Sequence, residues 1–103
     1  MATDGDGRAW SNLAIHPGEH LLEELEARGV TQRALAAAIG RPPQVVNEII
    51  RGKKAITAAT ALALEKALGI SARTWMNLQA DYELALAMAD AGERLEKVRA
   101  IGA

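Results

Sequence analysis

The chain has 103 residues, half of them hydrophobic, and a formal net charge of -1, so it is long enough to bury the core of one domain without a metal or a disulfide. It contains no cysteine, which excludes disulfides and thiolate metal sites and is compatible with a reducing compartment. No apolar run is long enough to cross a bilayer, and the first residues lack the basic start and apolar stretch of a signal peptide, so we expect a cytoplasmic protein.

Residues 1–14 contain glycines and acids and little that could be buried, which predicts a flexible N-terminal leader. A first helix should begin at Pro17, because proline is tolerated in the first turn of a helix, and should end at Gly29. Thr31 is the expected cap of a second helix, which ends at Gly40.

Two consecutive prolines follow the second helix. The residue before a proline is disfavoured in the helical region, so Arg41-Pro42-Pro43 should interrupt the helical structure. Pro43 can still be the first residue of a third helix, which is expected to end near Arg51 and Gly52.

Two longer helices are predicted after this point. Thr57 should cap a fourth helix over 58–68, and Ser71 a fifth over residues 72 to about 89. A short charged helical piece is expected over 93–101. The sequence therefore predicts an all-α fold: a five-helix helix-turn-helix domain over 15–89 and a short C-terminal helical tail over 90–103.

The segment Thr31–Lys54 has the layout of a helix-turn-helix, with two short helices, a tight turn between them and a basic exit. Gly40 permits the left-handed turn that sets the angle between the helices. Apolar or small side chains occupy the positions where the two helices must pack: Leu35, Ala36, Ile39, Val46 and Ile49. Such a unit places the beginning of its second helix in the major groove of DNA.

The residues predicted to contact DNA face outward from this unit or carry positive charge: Gln32, Arg33, Pro43, Gln44, Val45, Asn47, Arg51, Lys53 and Lys54. Gln44 and Asn47 can bond adenine edges bidentately, and Val45 can meet a thymine methyl group. The basic residues at the exit are expected to contact phosphates and so to fix the register. Gln32 is placed either to reach a phosphate or to brace the third helix.

Charge is unevenly distributed along the chain. Residues 31–54 contain five basic side chains and one acid, whereas residues 1–30 contain six acids and two basic side chains. We therefore expect one basic and one acidic face, although the net charge alone would argue against a nucleic-acid partner.

Three motifs resemble those of the HigA-type antitoxins of the XRE (lambda-repressor-like) superfamily: HPGE at 16–19, GKKAIT at 52–57 and WMNLQADY at 75–82. They follow one another in the order typical of that family, and the resemblance covers about residues 15–87. It implies a five-helix domain that binds double-stranded operator DNA as a homodimer and represses its own toxin–antitoxin operon. It also implies binding and neutralisation of a small HigB-like toxin, usually an mRNA nuclease.

The chain departs from that family at Pro42 and Pro43, where a Ser or Thr cap and a polar residue are usual. The two prolines remove backbone N–H donors and a side-chain cap from the helix end that would meet DNA. This departure permits one alternative, a toxin-binding interaction module with weak or no operator binding. A second alternative, independent of the prolines, is a stand-alone helix-turn-helix repressor without a toxin.

The segment from His16 to His20 also matches the H-x-x-E-H pattern of inverted zinc peptidases. Such a site needs both imidazoles on one face of a continuous helix, and Pro17 disfavours the helical conformation at His16. The sequence therefore predicts no enzyme activity, no catalytic residue, no cofactor and no metal site.

The acidic first helix is a candidate surface for a basic toxin, although charge runs on helices are usually solvated faces.

Overall fold

The computed structural model describes residues 15–102, so the predicted leader over 1–14 lies outside the described part of the chain. Residues 15–102 contain no β-strand and form five helices: α1 (Pro17–Arg28), α2 (Gln32–Ile39), α3 (Pro43–Ile50), α4 (Ala58–Leu68) and α5 (Ala72–Glu96). The predicted all-α class is confirmed. None of these five helices combines the length and apolar character that crossing a membrane would require.

The helix ends follow from local side-chain chemistry. The hydroxyl oxygens of Thr31, Thr57 and Ser71 each accept the backbone N–H of the residue three positions further on, which satisfies a donor that the helix itself leaves unpaired. Gly40 ends α2 with a φ of 68°, a left-handed conformation that strains residues with a Cβ atom. The backbone before α3 is extended at Pro42, which offers no side-chain cap, as the sequence predicted.

The core lies where the five helices meet. α2 packs against α3 and α4, and α1 packs against α3 and α5, while α4 and α5, which are joined by a short connection, pack against each other. Trp75 is the largest fully buried side chain. The other buried core residues are Leu21, Leu25, Leu35, Ala36, Val46, Ile49, Ile56, Ala61, Leu64 and Leu68.

The C-terminal region differs from the prediction. α5 does not end near residue 89 but continues to Glu96, and the separate helix predicted over 93–101 is wrong, because residues 97–102 are not helical. No proline interrupts this stretch, and its one glycine, Gly92, costs only about 1 kcal/mol relative to Ala. An ion pair between Arg94 and Asp90, 3.3 Å apart, links successive turns beside that glycine.

The predicted boundary between domain and tail therefore falls inside one helix. Residues 84–96 of α5, which we call the α5 arm, continue the helix that carries Trp75 in the core. Consistent with such an extension, the molecule measures 52 × 26 × 22 Å along its principal axes.

Candidate nucleic-acid interface

α3 is held by one face and open on the other. Val46 and Ile49 are 0% and 1% exposed, so they fix the helix against α1 and α2. Pro43 and Gln44, in the first turn, are exposed to solvent. The beginning of α3 therefore presents side chains outward, as a helix that enters a DNA groove must do.

Asn47 and Gln32 form a direct hydrogen bond between α3 and α2. The Asn47 Nδ2 atom donates to Gln32 Oε1 over 3.1 Å, and both side chains are half-buried. Of the two roles that the sequence left open for Gln32, bracing α3 is the one present in the free protein. A primary amide has two N–H donors and one acceptor oxygen, so Asn47 keeps one donor and its oxygen for another partner.

Val45 departs from the expected outward orientation. Its side chain is half-buried and packs against the hydrophobic core. The reason is the width of the apolar face of this short helix, because Val45 and Val46 lie four and three residues before the buried Ile49. It stays a prediction that the exposed part of the Val45 side chain contacts a thymine methyl group.

Glu48 lies among the predicted DNA-contacting residues and was not identified as part of the site from the sequence. Its carboxylate accepts a hydrogen bond from Gln44 Nε2 at 3.3 Å and lies 3.9 Å from Lys54 Nζ. This acid therefore engages two of the predicted contact residues when DNA is absent. The four-residue spacing of Gln44 and Glu48 in one helix could have indicated their hydrogen bond from the sequence.

The basic residues of the site surround α3. Arg33 is exposed on the first turn of α2, and Arg51, Lys53 and Lys54 are exposed where the chain leaves α3. The Lys53 backbone N–H donates to the Glu48 carbonyl oxygen over 2.8 Å, so the exit is hydrogen-bonded to the end of the helix. The structure thus brings the predicted phosphate contacts next to the side chains that could read bases.

The N-terminus of α1 packs beside this exit. His16 lies before the first helical residue and caps the helix, since its Nδ1 atom accepts the Gly18 backbone N–H over 2.8 Å. Burial lowers the pKa of His16, while Glu19 and the backbone of Lys54 raise it to a smaller extent. A capping imidazole outside the helix does not fit the inverted zinc-peptidase arrangement. Within residues 15–102 no three His, Asp or Glu side chains are grouped so that they could hold a metal ion.

Comparison with known proteins gave consistent matches. A family model described as helix-turn-helix matches residues 21–75. Virulence-associated protein I of Dichelobacter nodosus is 46% identical over 78 residues, which are 75% of this chain and 72% of that protein. Antitoxin HigA-1 of Vibrio cholerae is 40% identical over 71 residues, 68% of this chain and 67% of the relative. The solved structure of the Pseudomonas aeruginosa antitoxin HigA with the higBA promoter superimposes with a TM-score of 0.79 at 39% identity, covering 84% of this chain and 96% of that one.

Proposed function

This chain belongs to the helix-turn-helix family and is related to the HigA antitoxins, and we propose from that membership that it is an antitoxin of a type II toxin–antitoxin module. It binds operator DNA as a dimer, represses its own operon and neutralises a partner toxin by direct binding. The protein acts in the cytoplasm and carries out no catalysis. The P. aeruginosa HigA antitoxin was solved with promoter DNA, and its fold matches that of this chain over 96% of the antitoxin's length.

The arrangement at the head of α3 is the observation that supports DNA reading. Gln44 is exposed there, and the amide of Asn47 is held by Gln32 while one donor and one acceptor remain available. Adenine presents one acceptor, N7, and one donor, the N6 amino group, in the major groove. The remaining groups of Asn47 match that pair, and the exposed cations at the end of α3 supply phosphate contacts.

The exposed face of the α5 arm supports dimer formation. Leu84, Met88, Ala91 and Leu95 are spaced by four, three and four residues, which is the spacing of a coiled-coil seam. The three larger side chains are 58%, 44% and 49% exposed. Of the seven exposed large hydrophobic side chains in the described part of the chain, all but Leu62 lie at or after residue 84.

We assign this seam to a second copy of the chain. A two-fold symmetric operator is bound by two copies that present their reading helices about 34 Å apart, and such a dimer needs an apolar contact outside the DNA-binding surface. The small side chain of Ala91 permits two arms to approach closely in the middle of the seam.

Operator binding is tested by mobility shift with the DNA upstream of the operon and with a scrambled duplex of equal length. Replacing Gln44 and Asn47 together by Ala should reduce discrimination between the two duplexes and leave the fold and non-specific binding intact. Unchanged discrimination would refute the assignment of α3 as the reading helix.

Dimer formation is tested by light scattering on size-exclusion chromatography. Leu84→Glu should give a monomer, because a charge in the seam would be desolvated without a partner. Leu62→Glu is the matched control, since Leu62 is 62% exposed on α4 and lies outside the arm. A dimer that persists in Leu84→Glu and dissociates in Leu62→Glu would show that the seam is elsewhere.

A second candidate function is favoured by the start of α3, where Pro42 provides no side-chain cap. A protein that binds only a toxin would form no operator complex even at low salt, whereas contacts through Arg51, Lys53 and Lys54 should weaken steeply as salt rises.

Toxin neutralisation is tested by co-purifying the chain with the product of the neighbouring gene and assaying mRNA cleavage by that product with and without the chain. A stand-alone repressor would have no such neighbour.

A further inference from the structure

The open face of α3 carries one acidic side chain among its predicted DNA contacts. Gln44, Asn47 and Glu48 are separated by one to four residues and lie together on one side of the helix, away from its buried side. Residues 31–54 contain five basic side chains, and Glu48 is their only acid. A carboxylate weakens the attraction of this surface for phosphates. Any contribution of Glu48 to operator binding must therefore lie in what it selects.

The Glu48 carboxylate has partners within the protein on both oxygens. Its Oε2 atom accepts a hydrogen bond from Gln44 Nε2 at 3.3 Å, and its Oε1 atom lies 3.9 Å from Lys54 Nζ. The Glu48 side chain is 34% exposed, whereas Gln44 is open to solvent. A base that approaches the head of α3 thus meets the amide of Gln44, with the carboxylate of Glu48 beside it.

This hydrogen bond limits what Gln44 can offer to a base. A primary amide has two N–H donors and one acceptor oxygen, whereas a carboxylate has acceptors only. With one N–H engaged by Glu48, the Gln44 amide keeps one donor and one acceptor. The head of α3 therefore presents one free donor at this position, flanked by the oxygens of the amide and of the carboxylate.

Such a set of groups distinguishes the two purines. Adenine presents one acceptor, N7, and one donor, the N6 amino group, in the major groove, whereas guanine presents two acceptors, N7 and O6. Adenine can pair with the free donor and the acceptor of Gln44. Guanine would bring O6 against the amide oxygen and toward the carboxylate, and no donor would remain for it. Unpaired and repelling groups of this kind allow a binding site to reject a competitor.

We propose that Glu48 is a specificity-determining residue, which makes α3 select adenine against guanine at the base that Gln44 reads. It acts by engaging one donor of Gln44 and by placing oxygens that can only accept hydrogen bonds beside the edge of the base. The proposal rests on the proposed operator binding and adds to it a residue that selects by exclusion, at a cost in overall affinity.

The opposite preference would follow if Glu48 bonded a base itself. A carboxylate can accept from the N4 amino group of cytosine, which would favour a G·C pair. Both Glu48 oxygens already face partners in the protein, Gln44 and Lys54, and this favours the exclusion of guanine over the reading of cytosine. The two cases predict base preferences of opposite sign.

The experiment measures dissociation constants for the operator and for duplexes in which each A·T pair of one half-site is replaced in turn by inosine·cytosine. The inosine·cytosine pair has the major-groove edge of G·C but lacks the minor-groove amino group of guanine. It therefore alters the groove that α3 is expected to enter and leaves the other groove as it was. The pair read by Gln44 is the one at which Gln44→Ala removes the preference for A·T.

Glu48→Gln changes the chemistry of the side chain at nearly constant size. The new amide keeps an oxygen that can accept from Gln44 and gains N–H donors that O6 and N7 can accept. Glu26→Gln is the matched control, because it removes one negative charge from an exposed position of α1, outside the helix-turn-helix. The readout is the ratio of the two dissociation constants of one protein, in which changes in general electrostatic attraction and in the folded fraction cancel.

At the pair read by Gln44, the wild-type protein and Glu26→Gln should prefer A·T by about tenfold, and Glu48→Gln should lower this preference to about threefold or less. A Glu48→Gln protein that keeps the full preference would overturn the proposal. A wild-type preference for inosine·cytosine that Glu48→Gln removes would also overturn it, because Glu48 would then read cytosine.

Failure of this proposal and failure of the proposed function give different results. If the wild-type protein binds the operator no better than a scrambled duplex, the proposed function fails and the role of Glu48 fails with it. If the protein prefers the operator but no pair responds to Gln44→Ala, only the role of Glu48 is refuted.

Discussion

Replacing Gln32 by Ala should weaken operator recognition through its effect on Asn47. In the free protein the Gln32 oxygen accepts a hydrogen bond from Asn47 Nδ2 at 3.1 Å, and both side chains are half-buried. Without this partner the Asn47 amide can rotate about its side-chain torsions. Binding to a base must then fix the amide again, and the conformational entropy lost in doing so weakens the binding.

The size of the effect follows from the groups involved. A net intramolecular hydrogen bond contributes about 0.5–1.5 kcal/mol, so Gln32→Ala should weaken specific binding by about two- to tenfold. Asn47→Ala removes the proposed base contact as well, and one bidentate pair is worth about 1–3 kcal/mol of discrimination. The double variant should be no weaker than Asn47→Ala, because the brace has no function once the amide is gone.

The assay is a double-mutant cycle in which the dissociation constants of the four proteins are measured with operator and scrambled duplexes at one salt concentration. The free energy of unfolding of each variant is measured alongside, to separate recognition from loss of stability. Additive effects of the two substitutions on discrimination would refute the reasoning, because they would show that Gln32 acts independently of Asn47.

Four further substitutions have expected outcomes. Glu48→Gln should strengthen binding to both duplexes by about two- to fivefold, as expected for a partly exposed charge worth up to about 1 kcal/mol, and weaker binding in mobility shift would mean that Glu48 itself reads a base. Gly18→Ala should cost about 2 kcal/mol or more in chemical denaturation, because its Cβ would clash with the Ile49 carbonyl. A Cβ atom on Gly92 would meet no atom within 4 Å, so Gly92→Ala should stabilise the helix by up to about 1 kcal/mol. Equal effects of Gly18→Ala and Gly92→Ala on the free energy of unfolding would contradict the close contact at Gly18. Arg51→Ala should reduce the slope of log affinity against log salt by about one if it contacts a phosphate, and an unchanged slope would remove it from the interface.

The ends of α1 to α4 and the beginning of α5 could be predicted because they depend on neighbouring residues. A hydroxyl such as that of Thr31 satisfies a backbone N–H three residues away, and Gly40 adopts a left-handed turn regardless of the rest of the fold. The buried face of the helix-turn-helix followed from helical spacing for the same reason. Fold class was therefore accessible from local patterns.

The remaining features depend on contacts between distant parts of the chain. The His16 ring lies beside Gly52 and Tyr82, which no local pattern brings together. The half-burial of Val45 depends on the width of the core beneath α3. The prediction for the end of α5 was wrong: the helix continues through Gly92 to Glu96, since one glycine costs too little to end a helix that continues on both sides.

The uninterrupted α5 also links the two ends of the molecule mechanically. At 1.5 Å per residue, its 25 residues span about 37 Å, and the same rod carries both Trp75 and the seam of the arm. In a pair of chains joined at their arms, the crossing angle of the two rods would set the separation of the reading helices. A partner that altered this angle would change the half-site spacing that the pair could bind, while leaving every DNA-facing side chain unchanged.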